Sequence, residues 1–184
     1  PKNINSLSCR YRMRINRRFI FRYYWLIAIF GLILGIWLFI QFPVSDNSIT
    51  LLGSVVAAVL GFCYFVLQQK LSETALFKEL FTEFNKRYDV LNDRLSVIAT
   101  SYPEQEITPL DVNDRQTIID YFNLCAEEYL FFKEGYIHHE AWRSWCAGMT
   151  WYFDREPFKS LWAKESSTKS YYGLSVPEIK KGAA

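Results

Sequence analysis

Two stretches of this chain contain no charged residue, Tyr23–Phe42 and Ile49–Leu67. At about 1.5 Å of rise per residue, YYWLIAIFGLILGIWLFIQF predicts roughly 30 Å of helix, the thickness of a bilayer's hydrocarbon core. The second stretch, ITLLGSVVAAVLGFCYFVL, is one residue shorter and still sufficient. Between them Pro43 stops the first helix, and Asp46-Asn47-Ser48 supplies polar turn chemistry. So short a link predicts an antiparallel transmembrane hairpin. The first span is too long for the apolar region of a signal peptide, about 7–15 residues, and Gln41-Phe42-Pro43 is a poor cleavage site.

Beyond Leu67 the apolar pattern changes to an alternation of three and four. It runs through Thr74, Phe77, Phe81, Phe84, Tyr88, Leu91, Leu95 and Ile98. That is the seam of a helix packed lengthwise on another, so the second span is expected to continue as a stalk helix. Phe81, Phe84, Tyr88 and Leu91 are expected to be largely buried. Ser101–Pro109 reads as a link, with Thr108 as N-cap, Pro109 as first helical residue and Asp111 as a first-turn acid. A helix over about 113–134 carries Ile118, Phe122, Cys125, Tyr129 and Phe132 on one stripe and ends at Gly135. Another, over about 139–154, carries Trp142, Cys146, Met149 and Phe153, and Pro157 opens a short last helix with Phe158, Leu161 and Trp162. No strand-like alternation stands out. The predicted fold is all-α: a transmembrane hairpin followed by a cytoplasmic helical bundle. The expected organisation is a basic N-terminal segment 1–22, the hairpin 23–67, a helical domain 68–165 and a polar C-terminal tail 166–184.

Charge sets the orientation. Seven basic residues and no acid precede the first span, the Pro43–Ser48 link has no basic residue, and residues 70–184 carry 14 basic against 18 acidic side chains. Lys and Arg collect on the cytoplasmic side. Both ends of the chain are therefore expected in the cytoplasm of a bacterial inner membrane, with the link outside. Arg14, Arg17, Arg18 and Arg22 are placed to contact anionic lipid, in preference to nucleic acid. Inside the spans, Gly31 and Gly35, and Gly53, Ala57 and Gly61, line one face of each helix. Such faces permit close helix approach, either within one hairpin or between copies of the chain. The spans hold no ionisable residue of the kind that proton relays and most ion pathways use.

Catalytic signatures are missing. Cys9, Cys63, Cys125 and Cys146 have no metal-ligand spacing, and His138-His139-Glu140 places neighbours on different helix faces. Asp120, Glu127 and Glu134, with Glu128 beside them, read as a solvated helix face. There is no phosphate-binding glycine loop and no nucleophile elbow. The reading is a non-enzyme with no cofactor and no metal. The aromatic run from Trp142 to Trp162 is mostly core, with Trp145, Trp151 and Trp162 offered as anchors for a protein or ribonucleoprotein partner.

FTEFNKRYDVLNDRL (Phe81–Leu95) and YFNLCAEEYLFFKEGYIHHEAWRSWCAGM (Tyr121–Met149) resemble segments of small bacterial two-span membrane proteins with a helical cytoplasmic domain. These are similar to transmembrane effectors of anti-phage cassettes, including retrons. The resemblance covers roughly residues 72–165 and carries no catalytic residue. It implies membrane disruption after release from a partner complex. The competing expectation is a passive membrane anchor or scaffold for a cytoplasmic complex.

Overall fold

A computed structural model describes residues 4–41, 46–102 and 110–184, with side chains from Tyr23 onward except at 46–48. The side chains of Arg14, Arg17, Arg18 and Arg22, most of the Pro43–Ser48 link, and Thr108 and Pro109 lie outside the described residues. Every regular element among those described is a helix. In order they are α1 (Ile4–Gln41), α2 (Asp46–Ser101), α3 (Val112–Glu134), α4 (His139–Phe153), α5 (Phe158–Glu165) and α6 (Val176–Ala183). The chain forms two compact units, one ending at Thr74 and the other running from Ala75, and α2 contributes to both.

In the first unit α1 and α2 pair antiparallel. Lys70 Nζ lies 4.7 Å from the centre of the Tyr24 ring. Further along, Gly31 faces Val59 and Gly35 faces Val55. Two segments are long and apolar enough to cross a membrane, one over Tyr23–Gln41 and one within Ile49–Ser101. Their outer faces, with Phe30, Ile33, Ile40, Leu60 and Phe65, are exposed. Burial within the pair is confined to the contact line, where Gly35 and Val66 are the buried positions.

The second unit has a continuous aromatic core. Phe84, Leu95 and Ile98 of α2 pack with Ile118, Phe122 and Cys125 of α3 and with Trp142, Cys146 and Phe153 of α4. The alternating seam of α2 is buried unevenly. Phe84 is 3% exposed, whereas Phe81 is 39% exposed, contrary to expectation. The reason is local: Phe81 lies flat on the Trp145 ring, 5.7 Å between centroids, and beside the Phe77 ring, at the rim of the core and not inside it. Thr74 is exposed and its hydroxyl donates to its own helix, at Lys70 O.

The ends of α3 follow its sequence signals with one correction. Asp111 is the N-cap, its carboxylate accepting from Asn113 N, and not a residue of the first turn. Gly135 closes the helix in the left-handed region at φ 85°, where a glycine has no Cβ to clash. The larger departure concerns residues 166–184. They form no loose tail: Tyr171, Leu174 and Ile179 are buried in the core of the second unit. After α5 the chain makes a single 3-10 turn over Ser166–Thr168, then enters α6, whose Ser175 hydroxyl accepts from Glu178 N. The helix opened by Pro157 is therefore not the last.

Candidate interaction surfaces

The small residues of the two spans divide by role. A methyl placed on Gly35 would lie 2.7 Å from Val55 Cγ1, and one on Gly31 would lie 3.3 Å from Val59 Cγ2. The α1 pair therefore lets the backbones approach within the hairpin. Gly53 and Gly61 have nothing within 4 Å of where a Cβ would stand, and Ala57 is exposed. Hairpin packing does not use them. The geometry explains why: α2 presents Val55, Val59 and Val66 to α1, and Ala57 lies two residues from the first two. Two residues turn a helix by about 200°, so the Gly53-Ala57-Gly61 stripe points away from α1.

The three tryptophans offered as one anchor set are not one surface. Trp162 is buried, packed between Phe122, Phe153 and Tyr171. It belongs to the core because α5 is short and spends its apolar face on α3 and α4. Trp151 is exposed, with the Arg155 guanidinium 3.9 Å above its ring. Trp145 lies half-buried on a different face of α4, in a groove of about 470 Å³ shared with Phe77, Phe81, Asn85, His138 and Ala141. The His138 ring meets Phe77 edge-on at 4.2 Å, and α4 begins at His139. This groove is aromatic on one wall, with Asn85, Glu140 and Ser144 among its polar lining residues.

A second groove of about 470 Å³ mixes polar and apolar walls, Val90, Leu91 and Leu124 supplying part of the latter. It lies between α2 and α3 and is lined by Arg87, Asp120, Asn123, Glu127, Ser170 and Tyr172. Arg87 bridges it, Nη1 donating to Glu127 Oε2 at 2.5 Å. A related tie joins the end of α2 to the start of α3, where Arg94 and the Tyr102 hydroxyl both donate to the buried Asp114 carboxylate.

Glu128 departs most from its expected role. It does not share the solvated face of Asp120 and Glu134, being only 6% exposed. Burial raises its carboxyl to about 8, against a smaller downward pull from the Arg87 charge and an upward push from Glu127. It is thus a protonated acid at neutral pH. Burial, with Glu128 nearby, also pushes the Cys146 thiol up to about 12, so this thiol is protonated at neutral pH. Among the described residues no three His, Cys, Asp or Glu side chains gather to hold a metal ion.

Two signals for what was missed were present in the sequence. Ser175-Val-Pro-Glu178 has the spacing of a capping box with proline at the helix start, which marks α6. Glu128 sits three residues after Cys125 and one before Tyr129, on the apolar stripe's own side of α3. Comparison with protein-family models, with curated proteins and with solved structures finds no match.

Proposed function

We propose that this chain is a two-pass bacterial inner-membrane protein that damages the membrane when released from a cytoplasmic partner. Both ends lie in the cytoplasm, α2 continues out of the bilayer as a stalk, and the second unit is a helical bundle with a regulatory, non-catalytic role. The observation that carries this reading is the open stripe of Gly53, Ala57 and Gly61. A hairpin used only as an anchor has no need of a close-approach face left over after its own helices have packed. A hairpin that must assemble with others does, because one hairpin without ionisable residues cannot line a conducting path. The restraining partner, a protein or ribonucleoprotein complex, would engage the groove of Phe77, Phe81 and Trp145.

Expression of the chain alone tests this. Free chain should depolarise cells, and Leu at Gly53, Ala57 or Gly61 should abolish that effect while the chain still inserts. A wild-type chain that is harmless alone, and harmless when its partner is removed, would leave a passive tether as the better account.

A further inference from the structure

α6 has eight residues, too few to hold a helix in isolation. Its fold depends on its seat on α4. Ile179 is fully buried there, and Val176 and Ala183 pack around it. At Gly182 the fit is closest: a methyl would lie 2.5 Å from Cys146 Sγ and 2.7 Å from Trp142 Nε1. The seat therefore takes a short amphipathic helix with its smallest residue at one register position. Its polar ties are superficial. Lys180 Nζ meets Asp154 at 2.8 Å with both side chains about half exposed, a geometry that contributes little.

The connection into α6 is strained where the helix is not. Leu174 N–H donates to Tyr171 O at 2.8 Å, closing a four-residue turn. Its central residues Tyr172 and Gly173 have φ of 53° and 85°. This is the φ pattern of a type I′ turn, whose first central position suits Asn, Asp or Gly. A bulky tyrosine is held in the left-handed region there, and Lys169, at φ 58°, shares the penalty. Opening the turn releases the strain. The same seat on α4 is built into every other copy of this chain, and is free there once that copy's own turn has opened. A strained hinge joined to an element with an identical seat elsewhere is the setting for segment exchange.

We propose that α6 exchanges between copies of this chain: the Tyr172-Gly173 turn opens, and the helix of one copy fills the Trp142–Cys146 seat of another. The inference does not depend on membrane damage; it holds equally for a tether.

The close approach at Gly182 supplies the test. In full-length chain in membranes, with Cys9, Cys63 and Cys125 replaced by Ala, Gly182→Cys places a thiol against Cys146. Oxidation then gives a disulfide within one chain or between two, read on a non-reducing gel from cells expressing two differently tagged copies. Exchange predicts mixed-tag dimers that disappear with Cys146→Ala. Adding Tyr172→Asn, which suits the turn, should lower the dimer share about fivefold, the population change expected from a modest gain in closed-state stability. Native mass spectrometry of wild type and Tyr172→Asn in detergent needs no introduced thiol and should show the same fall. Intrachain disulfide alone, or association indifferent to Tyr172→Asn, would overturn the proposal.

Discussion

Glu128 combines a charged residue's identity with an apolar residue's surroundings. In the folded chain its carboxyl holds a proton up to about pH 8, whereas it ionises near 4.5 when unfolded. Its contribution to stability is therefore complete below about pH 4.5 and is lost progressively as pH rises toward 8. Glu128→Gln keeps the shape and removes the titration. In thermal melts of the full chain it should nearly match wild type near pH 4.5 and exceed it by roughly 4 kcal/mol at pH 7.5. A gap independent of pH would mean that the carboxylate stays ionised and solvated. The neighbouring seam gives a contrast of burial. Phe84→Ala should cost about 3–5 kcal/mol, while Phe81→Ala, at a position already 39% exposed, should cost about 1 kcal/mol.

At the scale of elements, the hairpin makes a sharp distinction between glycines that look alike in sequence. Gly35→Leu drives a side chain into Val55 and should separate α1 from α2, whereas Gly53→Leu extends into open space. A disulfide introduced across the pair should form in the second variant and fail in the first. Loss of the α3 cap, Asp111→Ala, should lower stability by about 1 kcal/mol. The long helices were legible because they rest on repeated signals: two uncharged runs, an alternating seam, a glycine after Glu134. The order through α5 needs two more, the Trp142–Phe153 stripe and Pro157. What was not legible depends on which face meets which neighbour. Periodicity places Gly53, Ala57 and Gly61 on one stripe but cannot say that Val55 and Val59 win the contact. Nor can it say that a short α5 spends Trp162 on the core, or that Glu128 falls inside rather than beside Glu127. α6 was overlooked for another reason: eight residues give too few turns for a period to emerge, and only its capping pattern marks it.

For the whole molecule, the proposed topology is the first thing to check. A cysteine at Ser45 should react with an impermeant reagent from outside and one at Ser167 should not; the reverse would invert the chain. The aromatic side chains then offer a measurement that needs no label. Trp25 and Trp37 stand on the outward face of α1, 50% and 55% exposed, and twelve positions of helix separate them by about 18 Å. The tryptophans of the second unit are spread differently, with Trp142 and Trp162 buried, Trp145 half-buried and Trp151 exposed. Lipids brominated at chosen acyl carbons quench only an indole they can touch. If α1 spans the bilayer, they should dim the emission of Trp25 and Trp37 at two separate depths. The chain thus carries its own optical depth gauge, and any change in tilt or immersion of α1 would be written in those two signals.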